Sequence, residues 1–137
     1  MNDPQICWRR VTDELPEKDA PVLFISKFHH ISSAKYTNYG VDDAPILFRP
    51  HGYRPGEDVS WWMPVPEDAW KDFEIEKPRD AGFYLTRENY GSITSQKWTL
   101  NSLTGEYEFR PFGTGFNMGR LKSWREIPPL PKGVFLI

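Results

Sequence analysis

The chain is 137 residues long, the size of one ordinary domain or of two very small ones sharing a core, and it carries a formal net charge of −2. Six Trp, six Tyr and nine Phe supply large apolar areas that reward folding, which excludes disorder, while 13 Pro and 10 Gly cut the chain too finely for long helices. Cys7 is the sole cysteine, which excludes an intrachain disulfide and a cysteine-based zinc cluster and points to a reducing compartment.

Met1 is followed by Asn2-Asp3-Pro4 rather than by a basic segment leading into an apolar run, so no secretory signal is expected. No stretch approaches the roughly 18 apolar residues that span a bilayer. The expectation is a cytoplasmic protein. Charge is unevenly spread: residues 109–137 hold Arg110, Arg120, Lys122, Arg125 and Lys132 against Glu126 alone, a net +4, which leaves −6 for the remainder. A solvated basic edge is the plainest account of that imbalance, and a surface facing an anion or an acidic partner is the sharper one.

In chain order, Pro21 leads into the β-type run Val22-Leu23-Phe24-Ile25, and Ile31 to Asn38 offers a second extended segment. A strand centred on Trp62 follows and ends in Pro64-Val65-Pro66, where prolines cannot donate to a ladder. Glu67 to Asp72 reads as an acidic joint able to form one helical turn. Beyond it, Gly82-Phe83-Tyr84-Leu85-Thr86, the turn-like Asn89-Tyr90-Gly91, Ile93 to Leu100, a turn around Thr104-Gly105 and Glu106 to Phe109 read as a meander, closed by a strand centred on Trp124.

These segments repeat. Phe48-Arg49-Pro50-His51-Gly52 recurs as Phe109-Arg110-Pro111-Phe112-Gly113, and Asp19-Ala20 as Asp80-Ala81, both at an offset of 61. Lys35-Tyr36 becomes Lys97-Trp98, and Trp62 becomes Trp124, at an offset of 62. Collinear matches at near-constant spacing indicate an internal duplication. The expected fold is therefore mainly β, with two tandem antiparallel modules (1–66 and 73–137, joined by 67–72) packed as a pseudo-twofold pair with little helix. Modules of some sixty residues are marginal alone, and a shared aromatic interface would relieve that.

The first module opens on Trp8-Arg9-Arg10-Val11-Thr12-Asp13-Glu14-Leu15-Pro16, continues through Pro21-Val22-Leu23 and closes on Trp61-Trp62-Met63-Pro64-Val65-Pro66. Over residues 8–66 it resembles domain of unknown function 551, a family of short proteins common in bacteriophages and prophages. The second module departs from that pattern: it is read as lacking the opening Trp and the Leu-Pro, and it ends Trp124-Arg125-Glu126-Ile127-Pro128-Pro129-Leu130-Pro131. The resemblance implies a phage or mobile-element origin and a bacterial host cell, raises host-directed or anti-defence work as the role, and carries across no catalytic residue.

Candidate site residues follow from the repeat and from charge. Trp62 and Trp124, at equivalent positions, are expected to plug the two cores, and Trp61, the strand neighbour of Trp62, to point to the opposite face, where an exposed indole is a good interface anchor but packing in the joint between the modules is an equal alternative. The repeated Phe-Arg-Pro-x-Gly is first of all turn chemistry, a fixed φ followed by a permissive one, but Arg49 and Arg110 would also suit carboxylate or phosphate recognition. The partner-facing set is Trp61, Arg49, His51, Arg54, Arg110, Phe112, Arg120, Lys122 and Arg125.

His29-His30 diverge on a strand and have no carboxylate at ligand spacing, so no metal and no cofactor are expected. Ser32-Ser33, Ser60 and Cys7 lack the frame of an activated nucleophile, Asp42-Asp43 and Glu57-Asp58 fall in loops, and Gly113-Thr114-Gly115 leads into no helix that would seat a phosphate. The reading is a non-enzymatic interaction protein, monomer or homodimer, with a host protein as partner and inhibition of a defence protein or complex as its role. The alternative is single-stranded nucleic acid held by the basic, aromatic strip Arg110, Phe112, Phe116, Arg120, Lys122, Trp124 and Arg125, although an overall acidic chain is unlike most such binders.

Overall fold

The computed structural model describes residues 7–38, 40, 44–110 and 121–137, and all its regular elements among them are β-strands. No helix among these residues is long and apolar enough to cross a membrane. By internal contacts the chain divides into two units, Met1–Pro66 with Pro128–Ile137, and Glu67–Ile127.

The first unit contains β1 (Arg9–Arg10), β2 (Pro21–Ser26), β3 (Ile31–Thr37), β4 (Leu47–Arg49) and β5 (Val59–Pro64). They pair antiparallel in the order β1-β5-β2-β3-β4. The second contains β6 (Lys71–Asp72), β7 (Gly82–Glu88), β8 (Ile93–Leu100), β9 (Tyr107–Arg110) and β10 (Leu121–Arg125), paired antiparallel in the order β6-β10-β7-β8-β9. The two orders are the same order.

Register repeats as closely as topology. Phe24 faces Trp62 and Ser32, and Thr86 faces Trp124 and Thr94; Arg9 faces Trp62, and Lys71 faces Trp124. Tyr36 faces Phe48, and Trp98 faces Phe109. Even an irregularity is shared, since the register shifts between the pairs Ser26–Val59 and Ile25–Trp61 in one unit and between Glu88–Leu121 and Arg87–Ser123 in the other. A bulge inserts one residue and so reverses facing beyond it. That is why Val59 and Leu121, three residues before their tryptophans, still share a core cluster with them.

Each unit buries its own aromatic cluster: Val11, Val22, Phe24, Ala34, Tyr36, Phe48, Val59 and Trp62 in the first, Phe73, Trp98, Phe109, Leu121 and Trp124 in the second. Tyr36 meets Phe48 at 5.0 Å, and Trp98 meets Phe109 at 4.8 Å. Leu23 and Ile25 are buried on the opposite face of β2, which accounts for its unbroken apolar run. The expected turns are present: Gly91 donates to the Glu88 carbonyl at φ 93°, and Gly105 to the Asn101 carbonyl at φ 76°, backbone conformations that favour glycine.

Three expectations are corrected. Residues 67–72 form no helical turn: Lys71 and Asp72 are a strand that pairs with β10, as β1 pairs with β5. The second unit does have an opening Trp, because Trp70 precedes β6 as Trp8 precedes β1, and Pro78 is buried as Pro16 is, with Lys77 standing where Leu15 does. Finally, residues 128–137 group with the first unit and not with the second. The Trp8 indole N–H donates to the Pro128 carbonyl at 3.5 Å, and the His29 ring stacks on Phe135 at 4.2 Å.

The tryptophan at the end of each repeat does more than fill space. Trp62 Nε1 donates to the Glu14 carbonyl and Trp124 Nε1 to the Glu76 carbonyl, each at 2.8 Å across 48 residues. Trp62→Phe and Trp124→Phe leave those carbonyls unpaired, and each is expected to cost about 1–3 kcal/mol in urea denaturation of the whole chain. Trp61→Phe, which loses a cation contact and no such bond, is expected to cost less than about 1 kcal/mol.

Candidate functional site

The opening segment of the first unit builds a slot. Arg9, on β1, lies beside Trp62 on β5 in register, with its guanidinium 5.0 Å from the indole ring centre. The chain then turns through Asp13 and Glu14, both of which donate to the Arg10 carbonyl, and this brings the Glu14 carbonyl to the indole N–H. The buried Pro16 then leads towards β2. Between this turn and the strands lies a cavity of about 230 Å³ lined by apolar Leu15, Pro21, Val22, Trp62 and Pro64 and by charged Arg9, Glu14 and Glu17. That volume lies below the roughly 300 Å³ at which small-molecule sites begin, and it suits one large side chain. Arg9 Nη1 holds Glu14 Oε2 at 3.3 Å, an exposed pair worth little in stability but able to orient both groups.

The sequence-predicted residues scatter. Trp62 and Trp124 are buried, as expected of core plugs, while Trp61 is half-buried with the Arg10 guanidinium 4.7 Å from its ring centre. Arg49 Nε donates to the Thr37 carbonyl at 3.1 Å, a local bond that ties β4 to the end of β3. Arg54 is exposed and ion-paired with Glu57 at 3.5 Å. Its backbone N–H donates to Asp58, whose carboxylate also pairs with Lys27 at 2.9 Å. The Arg54 N–H, then Lys27, hold Asp58 below the usual carboxylate range, and Asp58 holds Lys27 above the usual ammonium range, so the Asp58 carboxylate is engaged by its own turn.

In the basic strip, Arg110 and Lys122 are exposed, and Phe112, Phe116 and Arg120 lie outside the described residues. Arg125 donates to the Asp68 carbonyl at 2.8 Å and pairs with its carboxylate at 3.3 Å. Trp124 is only 3% exposed, which removes its ring as a stacking platform for bases. Among the described residues, no three of His, Cys, Asp and Glu form a group able to hold a metal ion.

Among the described residues of the predicted set, none lines the slot. The signal that could have found it was the turn between β1 and β2, where Glu14-Leu15-Pro16 sets an exposed Leu15 between a carboxylate and a buried proline. The chain matches no family model, and neither a curated protein nor a solved structure matches it.

His51 is placed for packing. Its ring meets Phe24 edge-on at 5.3 Å and stacks on Tyr53 at 5.4 Å. Burial lowers the imidazole below its ordinary value of 6.5, offset in part by a backbone bond at Ser33, and His30 is lowered by burial and then by His29. The unfolded chain therefore protonates first as pH falls, so the contribution of these two histidines to stability is full above about pH 6.5 and is lost below it until the folded-state values are passed. His51→Phe, the residue found at the repeat-equivalent position 112, is expected to flatten the fall in urea midpoint between about pH 7 and 5.

Proposed function

We propose that this chain is a non-enzymatic interaction protein that docks on another protein by taking one partner side chain into the slot beside Trp62. The observation that carries the reading is the cavity itself: about 230 Å³, lined by both apolar and charged side chains and including the exposed Leu15. A site of that kind matches the pocket-and-rim construction of protein interfaces, in which an anchored side chain contributes most of the binding energy and a polar rim sets orientation. The phage or prophage setting, and inhibition of a host defence protein or complex, rest on the resemblance of residues 8–66 and are part of the same proposal.

The nucleic-acid alternative has less support, because Trp124 is buried and Arg125 is engaged by Asp68. Both readings are separated by affinity capture from bacterial lysate with the immobilised full chain and its Leu15→Glu variant. The expected outcome is a protein retained by the wild type and lost, by at least tenfold, with Leu15→Glu; a tenfold loss corresponds to about 1.4 kcal/mol. Retention indifferent to that substitution would count against docking through the slot. Salt-sensitive binding of a single-stranded oligonucleotide, unchanged by Leu15→Glu, would favour the alternative.

A further inference from the structure

The tail of the chain, Pro128–Ile137, belongs to the first unit although it follows the last strand of the second. Pro128, Pro129 and Pro131 each fix their own φ, and Ile127, Pro128 and Leu130 each precede a proline, so the start of the tail is held extended and gives up little freedom on docking. The Val134 N–H then donates to the Pro131 carbonyl at 3.0 Å around Gly133 at φ 85°, a turn that leads to Phe135. Two residues grip this segment. Trp8 donates its indole N–H to the Pro128 carbonyl at 3.5 Å. His29 stacks on the Phe135 ring at 4.2 Å and 14°, donates from Nδ1 to the Phe135 carbonyl at 3.1 Å, and accepts the Ile137 N–H on its own carbonyl at 3.3 Å.

The turn that carries His29 exists twice. His29 donates its N–H to the Ser26 carbonyl at 3.0 Å, and at the matching place between β7 and β8 Gly91 donates to the Glu88 carbonyl at 2.9 Å. Gly91 has φ 93°, and His29 holds φ 66°, a left-handed conformation that an L side chain occupies at a cost. The side chain kept there against that cost is the one that meets the tail. The grip is nevertheless loose at both ends. Trp8 is as buried as Trp62 and Trp124, yet its bond is at the long limit for N–H···O, against 2.8 Å for theirs. Phe135 and Ile137 stay 56% and 51% exposed. We infer that Trp8 and His29 form a peptide site for an extended proline-rich segment with an aromatic residue beyond a glycine turn, that the chain's own tail is its internal occupant, and that a partner protein carrying such a segment displaces it. The tail itself shows the chemistry the site accepts, and a segment that brings its carbonyl closer to the Trp8 indole satisfies that buried donor better than the tail does. This site shares no residue with the slot beside Trp62.

The test uses the ¹⁵N-labelled full chain and a synthetic peptide of residues 126–137, read at the Trp8 indole N–H and the His29 amide. Millimolar peptide is expected to move both signals and to leave the indole N–H signals of Trp62 and Trp124, whose acceptors lie elsewhere. Phe135→Ala in the full chain weakens the internal occupant and is expected to tighten peptide binding about two- to tenfold, the range of one ring contact. The same substitution in the peptide is expected to weaken its binding to the wild-type chain by the same factor, which checks the stack without altering the protein. Adding His29→Gly to the Phe135→Ala chain is expected to cancel the gain, because the peptide then loses a ring that the internal tail no longer uses. Phe135 is exposed and glycine holds the matching turn of the second unit, so both substitutions leave the fold in place. A Trp8 signal that the peptide does not move, or moves no more than those of Trp62 and Trp124, overturns the inference. So does a Phe135→Ala chain that binds the peptide no better than the wild type does, since the tail is then a fixed part of the fold.

Discussion

The structure depends on two indole N–H groups that must find acceptors. A tryptophan sunk among apolar side chains leaves its one donor unpaired unless a carbonyl is brought to it, and an unpaired buried donor costs about 1–3 kcal/mol. In both units the acceptor comes from the turn after a two-residue strand, at Glu14 and at Glu76. Strands as short as β1 and β6 form too few ladder bonds to hold themselves. The Arg9 and Lys71 cations near the indole rings, together with the turn carbonyls on the indole edges, attach each opening segment to the strand that closes its unit. Beginning and end of each repeat are thus joined by one side chain, its closing tryptophan.

The shared bulge is the second constraint. An apolar residue three positions before a buried tryptophan cannot face the same core along a regular strand, because facing alternates. Val59 and Leu121 do so because Ser60 and Lys122 are accommodated as extra residues at the register shift. Two units that agree in strand order, in register and in the placement of an irregularity are far better explained by copying than by convergence of composition.

Much of this was legible in the sequence, and the parts that were not share a physical reason. Strands announced by continuous or alternating apolar runs, such as Val22–Ile25 and the meander from Gly82, were readable because burial on one or both faces leaves a pattern. The opening of the second unit was not, since β6 is only Lys71-Asp72, both polar, and its Trp70 stands at the end of an acidic stretch that reads as loop. What identifies Trp70 is its partner: the Arg87 guanidinium lies 4.0 Å from its ring centre, a contact between residues 17 apart that no local pattern encodes. The C-terminal segment was misassigned for the same reason, because its tie to the first unit runs through Trp8 and His29. The slot beside Trp62 escaped notice because its residues look, one by one, like turn and strand.

The two units have also diverged in their side-chain packing. In the first, Phe24 gathers the rings of Phe48, His51 and Tyr53 at 5.4, 5.3 and 5.6 Å, beside aliphatic Val11, Val22, Ala34 and Val59. In the second, Thr86 takes the place of Phe24 and Gln96 that of Ala34. Gln96 Nε2 donates to Thr86 Oγ1 at 2.8 Å, while Gln96 Oε1 is buried with no partner among the described residues. A polar pair at these two positions buries less apolar surface than Phe24 and its ring contacts do. Against that loss the second unit gains Tyr84, a large ring set edge-on against its tryptophan and tied by its hydroxyl. The first unit has Val22 at that position, and the slot that Val22 lines lies beside a Trp62 that is itself buried. One repeated strand order and register thus carries two different side-chain packings around its closing tryptophan.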